Sequence, residues 1–242
     1  MTTLFISDLH LSDHRPELTA AFLRFLQQEA CQAEALYILG DLFDFWVGDD
    51  EPSGLHEQVA AALRALAEQG VALYFLHGNR DFLLGDAYAR RAGLTLLPEC
   101  HRLMLYGRPT LLLHGDTLCT RDLAYQKYRR WVSQGWLQWL FLRLPLRLRL
   151  RLARRIRQNS RQDKAYKSSS SMDVTPEAVS QLLQQHGCSL MIHGHTHRPA
   201  CHALAEGERW VLGDWDSHWY QLAVGPDGIH QQRHPVEPVT AG

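Results

Sequence analysis

The sequence has no Cys-x-x-Cys pair, and its five cysteines (Cys31, Cys100, Cys119, Cys188, Cys201) are odd in number. That excludes a disulfide-stapled scaffold and a dithiol redox motif, and predicts the reduced thiols of an intracellular protein. No apolar run approaches the roughly 18 residues of a spanning helix, so none is expected. The opening MTTLFISDLH has no basic stretch and no small-residue cleavage site, so no secretory signal is expected either. Acidic residues are missing altogether between Asp122 and Asp163.

What remains is globular in character. A chain of 242 residues, 45% hydrophobic and 21% charged, is neither disordered nor fibrous, and can bury one substantial core with room for an inserted subdomain. The formal net charge of −1 conceals an asymmetry. Residues 123–162 hold eleven of the 25 lysines and arginines, leaving 14 bases against 26 acids elsewhere, a net charge of −12. A +11 segment inside a −12 body needs its own explanation.

Short apolar runs (Leu4–Ile6, Leu36–Leu39, Leu73–Leu76, Leu111–Leu113, Leu190–Ile192) alternate with helical patterns near 17–30, 55–69 and 86–92. This predicts an α/β layered fold, with strands near Arg209–Leu212 and Trp219–Val224 turning antiparallel. Each of the five runs ends in a polar turn: Asp8-Leu9-His10, Gly40-Asp41-Leu42-Phe43-Asp44, Gly78-Asn79-Arg80-Asp81, His114-Gly115-Asp116 and Gly194-His195-Thr196-His197. Ligands of α/β sheets sit beyond the carboxyl ends of strands, so the five turns should converge on one crevice. Carboxylates, an amide oxygen and imidazoles suit hard to borderline divalent ions, and two such ions can clamp a phosphoryl group. One such residue alone is more often a turn or cap; five turns in this order are not coincidence. His77 and His193, just before these turns, read as structural, and Asp44, Asp81 and Asp116 as groups that orient ligands or cap turns.

The succession D-x-H, G-D-x-x-D, G-N-x-D, H-G-D, G-H-T-H resembles the calcineurin-like metallophosphoesterases. The resemblance implies a four-layer α-β-β-α sandwich, one domain over 1–242, with a helical insertion at about 123–165 capping the active site. It implies two Mn²⁺ ions, one held by Asp8, His10, Asp41 and His197, the other by Asp41, Asn79, His114 and His195. One position departs from the family, which usually has His after the metal-binding Asn where this chain has Arg80. Arginine cannot act as a general acid near neutral pH but can stabilise charge on a transferring phosphoryl group. That favours a leaving group already stable as an anion, such as a phosphate, and so a pyrophosphate substrate.

The insertion admits three readings: a solvated helix face, a nucleic-acid patch, or a lipid-contacting element. A helical stretch broken near Pro145 is expected, with Arg147, Arg151 and Arg155 in one stripe, Arg154 beside it, and Leu148, Leu152 and Ile156 in the next. Upstream, Trp136, Leu137, Trp139, Leu140, Phe141, Leu142 and Leu144 are too apolar to leave in water, which favours lipid. Within the family, segments 4–11, 36–44, 77–83, 114–119, 172–174, 192–199 and 212–215 are similar to the branch that cleaves UDP-2,3-diacylglucosamine. That implies water attack on the α-phosphorus, giving UMP and 2,3-diacylglucosamine 1-phosphate for lipid A biosynthesis. It implies catalytic roles for Asp41, Asn79, Arg80 and His195, and substrate contacts at Asn79, Arg80, Asp122, Ser160, Lys164, Lys167 and His195. The expected setting is peripheral, on the cytoplasmic face of a bacterial inner membrane, with an anionic surface as partner, no nucleic acid and no obligate protein partner. The alternatives are a soluble phosphoesterase acting on nucleotides or nucleic acid, and a non-catalytic scaffold, which would be expected to lack some ligands.

Overall fold

The computed structural model describes residues 2–166 and 173–237, and within 158–166 the backbone only. In chain order the first half contains β1 (Thr3–Ile6), α1 (Pro16–Gln28), β2 (Ala35–Ile38), α2 (Gly54–Glu68), β3 (Ala72–Phe75), α3 (Asp86–Ala92) and β4 (Thr95–Leu96). The hairpin β5 (Cys100–Leu105) and β6 (Arg108–Leu113) leads into α4 (Leu123–Val132), α5 (Gly135–Leu142) and α6 (Leu146–Tyr166). The chain closes with α7 (Pro176–His186), β7 (Leu190–His193), β8 (Ala200–Ala203), β9 (Glu208–Val211), β10 (His218–Gly225) and β11 (Gly228–Pro235). Local chemistry sets several boundaries. Prolines open α1 and α7, the Ser53 hydroxyl accepts the His56 N–H at the start of α2, and left-handed Gly93 and Gly187 end α3 and α7.

Two sheets stack, ordered β11-β10-β1-β2-β3-β4 and β5-β6-β7-β9-β8. Between them lie Phe5, Leu39, Leu112, Leu190, Ile192 and Leu222. The outer face of the first sheet packs Ile6, Ile38 and Phe75 against Phe22, Phe25, Leu63 and Tyr88 of the helices. The outer face of the second packs Leu111, Leu113 and Met191 against Val179 and Leu183 of α7. The result is the expected α-β-β-α layering. Each fully buried Phe or Leu contributes roughly 1.5–3 kcal/mol by leaving water.

Register places the site. Ile6 pairs with Ile38 and Ile38 with Phe75, so the turns after β1, β2 and β3 start at one level. In the second sheet Leu112 pairs with Ile192 and His193 with Val211, which aligns the turns after β6, β7 and β9. Hydrogen bonds Asp8 N–H to Gly40 O (3.1 Å), Gly194 N–H to His114 O (2.9 Å) and Trp215 N–H to Asp8 O (3.0 Å) tie the turns together.

One expectation needs correction. The sequence reading omitted β4, β5, β8 and β11, the four sheet edges: β4 is only two residues long, and segments such as CHRLML and GIHQQRHP are polar and lack a continuous apolar run. The expected stripe of Arg147, Arg151 and Arg155, with Arg154 beside it, is exposed, while three other basic residues of 123–162 turn toward the body. Arg149 is 2% exposed and binds Asp50, Val47 O and Leu144 O; Arg157 pairs with Asp44, and Arg129 with Asp116 and Glu99. These three anchor the helical segment to the acidic body. Among the described residues no helix is long and apolar enough to cross a membrane.

Candidate active site

At the shared level of the turns, Asp8 is fully buried and Asp41 2% exposed, an arrangement carboxylates adopt only with strong partners. The Ser7 hydroxyl and the His195 N–H both donate to Asp8 Oδ2, at 2.6 and 2.8 Å. Asp8 Oδ1 stands 3.3 Å from His197 Nε2, and His197 Nδ1 stands 3.1 Å from Asp214 Oδ2. Asp41 faces two ways: Oδ1 is 3.7 Å from His114 Nε2, and Oδ2 is 3.9 Å from His10 Nδ1 and 3.8 Å from Arg80 Nε. Asn79 Oδ1 lies 3.1 Å from His114 Nε2 and 3.0 Å from His195 Nδ1. The His114 Nδ1–H donates to Leu39 O (2.8 Å), which turns Nε2 toward the carboxylates.

The backbone is strained where these side chains originate. Asp8, His10, Asp41, His195 and His197 all have φ between 50° and 68°; among the described non-glycine residues only Tyr106 also has positive φ. Such conformations cost on the order of 1–3 kcal/mol each and persist where they aim side chains at a site. Glycines make room beside them. A Cβ on Gly78 would lie 2.2 Å from Asp41 Oδ1, and one on Gly194 would lie 2.2 Å from Asp8 Oδ2. Asp81, fully buried, accepts from Gly78, Asp41 and Leu42 N–H, fixing the β2 and β3 turns to one another.

Charge balance points to cations. Burial pushes the Asp41 carboxyl up to about 7. Burial disfavours a charged His197 too, but the Asp214 and Asp8 carboxylates outweigh it and raise it to about 10. Burial is likewise outweighed at His114, raised to about 8 by Asp41 and Asp8. Protons here balance charge that divalent ions would otherwise balance. Asp8 Oδ1 receives no hydrogen bond, and two sets, Asp8–His10–His197 and Asp8–Asp41–His114, bring their ligand atoms within 4.8 Å of one another. The residues present therefore fit divalent metal ions.

Asp8, His10, Asp41, Asn79, Arg80, His114, His195 and His197 are brought together. Asp122 instead caps α4, accepting the Tyr125 N–H at 3.1 Å. Ser160 and Lys164 fall on α6 where only the backbone is described, and Lys167 lies outside the described residues. His193 is buried beneath the site, and the His77 ring bonds Leu84 O. The sequence reading missed three contributors. Asp214 sits just beyond β9, the same strand-end position that marked the others. Ser7 adjoins Asp8. Tyr125 donates to Asp116, and its ring centroid lies 6.0 Å from that of His195. Burial opposes charge on Asp116, but His114, His195 and Arg129 hold it down at about 2.

A family model described as calcineurin-like phosphoesterase matches residues 1–199, and the chain belongs to that family of metal-dependent hydrolases. Full-length relatives narrow the likeness. A protein of Edwardsiella ictaluri named UDP-2,3-diacylglucosamine hydrolase is 56% identical, over 98% of this chain and 94% of its own. Proteins of the same name from Aeromonas hydrophila and Escherichia coli O7:K1 are 54% and 52% identical, over 98% and 97% of this chain and 100% of theirs. Solved structures agree on the fold alone. An archaeal phosphodiesterase (TM-score 0.50, 10% identity, 96% of this chain and 99% of that one) and vacuolar protein sorting 29 from Cryptosporidium parvum (0.50, 12%, 97% of each) share it.

Proposed function

We propose that this chain hydrolyses the pyrophosphate bond of UDP-2,3-diacylglucosamine, water attacking the α-phosphorus to give UMP and 2,3-diacylglucosamine 1-phosphate. The observation that carries this reading is full-length similarity, at 52–56% identity, to proteins named for that substrate. Two Mn²⁺ ions would supply Lewis acidity and lower the pKa of a water. Asp8, His10, Asp41 and His197 would hold one ion, and Asp41, Asn79, His114 and His195 the other.

The remaining work falls to the protein's own groups. Arg80, its Nε 3.8 Å from Asp41 Oδ2 and its backbone N–H donating to Asp41 Oδ1 at 2.8 Å, places a permanent positive charge beside the Asp41 carboxylate. It stabilises charge on the transferring phosphoryl group and gives up no proton. None is needed when a phosphate leaves. Helices α4–α6 cap the site and hold the acyl chains, with Asp122, Ser160, Lys164 and Lys167 contacting the sugar and phosphate beside Asn79, Arg80 and His195. Trp136, Trp139, Leu140, Leu148 and Ile156 are exposed on this cap, as an enzyme peripheral to the cytoplasmic face of an inner membrane requires. Hydrolysis in ¹⁸O-water tests the direction of attack: label is expected in UMP, and label in the lipid phosphate would contradict it.

A further inference from the structure

The diphosphate of the proposed substrate joins two unlike arms, and two separate cavities lie beside the candidate site. The walls of one include Phe82, Tyr125, Tyr128 and Val132, next to Asn79. A second cavity, of about 210 Å³, adjoins the Gly194–His197 turn. Thr196, between His195 and His197 in the chain, lines it, as do Arg198, His202 and Arg209.

Arg209 is the unusual member. It is 9% exposed, and one guanidinium nitrogen donates to His193 Nε2 at 3.2 Å. His193 Nε2 can accept because the Nδ1–H of the same ring donates to Gly194 O at 2.9 Å. Among the described residues no carboxylate pairs with Arg209. Asp173, the acid in the cavity wall, is already engaged: Oδ1 accepts the Val174 N–H and Oδ2 the Arg198 guanidinium. Guanidinium has five N–H donors and no acceptor, so the buried Arg209 brings donors to this cavity that no carboxylate takes up, while Arg198 and His202 form its exposed edge.

We infer that this cavity is the subsite for the nucleotide arm, Arg198 and Arg209 donating to the carbonyl oxygens of uracil and so setting the α-phosphorus at the metal-site turns. The inference rests on the proposed substrate. It also sets base preference: cytosine carries an amino donor where uracil has O4, and donors would then face donors.

Calorimetric titration of the Mn²⁺-loaded protein with UMP, CMP and 2,3-diacylglucosamine 1-phosphate tests it, alongside steady-state kinetics, in wild type, Arg209→Gln and Arg198→Gln. UMP is expected to bind more tightly than CMP. Each variant should weaken UMP about tenfold, the loss of a charged hydrogen bond, raise KM more than it lowers kcat, and leave the lipid phosphate affinity unchanged. Arg198 is on the rim, so its variant decides the matter if Arg209→Gln melts early. Unchanged UMP affinity in folded variants, or equal weakening of both products, would overturn the subsite. A wild type that turns over none of the substrate would overturn the functional reading instead, while the UMP preference and its loss in the variants would still decide the subsite.

Discussion

Asp214 shows how a single carboxylate can set the chemistry of a neighbouring candidate ligand, His197. It lies 3.1 Å from His197 Nδ1, so the opposite nitrogen is presented to Asp8 and the centre. Such partners fix ring orientation and raise ligand basicity. Asp214→Asn is expected to lower Mn²⁺ affinity about 10–100-fold by titration calorimetry, with the fold intact. The proton balance adds a pH dependence. Asp41, His114 and His197 all have folded pKa values raised above their ordinary ones, to about 7, 8 and 10. Each contributes stability that is fully present below its unfolded pKa and lost as pH rises through the folded one. The metal-free protein should therefore melt at lower temperature at pH 9 than at pH 6.5, and Mn²⁺ should abolish that fall by replacing the protons. A melting temperature that rises over this range without metal would count against the charge balance described. At this scale the sequence was most informative, because metal-site chemistry restricts residue type. Asp214 escaped notice because a lone Asp in a Gly-Asp-Trp turn has no local signal of its partner.

At the level of elements, α4–α6 are joined to the body by charge more than by apolar packing. No side chain of α4 or α5 is buried, whereas Arg129, Arg149 and Arg157 meet acids. Asp116 lies two residues after His114 and Asp44 three after Asp41, so these helices are held by the turns that carry the candidate site residues. Arg149→Met would strand the buried Val47 and Leu144 carbonyls, while the largely exposed Asp50 returns to water. A loss of roughly 1–3 kcal/mol in chemical denaturation is expected. The break before Pro145 and the helical periodicity could be read from sequence. Which arginines face inward could not: Arg147, Arg149 and Arg151 look alike until the position of Asp50 in space is known. Strands β4, β5, β8 and β11 were hidden for a related reason, since short or polar edge strands have no apolar run to mark them.

For the whole molecule, the near-zero charge is a cancellation between an acidic body and a basic cap, reduced but not removed by the three anchoring arginines. The two-sheet stacking was visible only through family resemblance; strand–helix alternation alone equally allows a single doubly wound sheet. Convergence of the five turns, by contrast, followed from strand ends alone. The central claim, cleavage of a lipid-linked nucleotide sugar at a two-ion site, can be tested directly by product analysis. The protein is incubated with UDP-2,3-diacylglucosamine, with and without Mn²⁺, beside Asn79→Ala. UMP and 2,3-diacylglucosamine 1-phosphate are expected in equal amounts, only with metal, and far more slowly from the variant. Turnover of lipid-free nucleotides with none of this substrate would contradict the account.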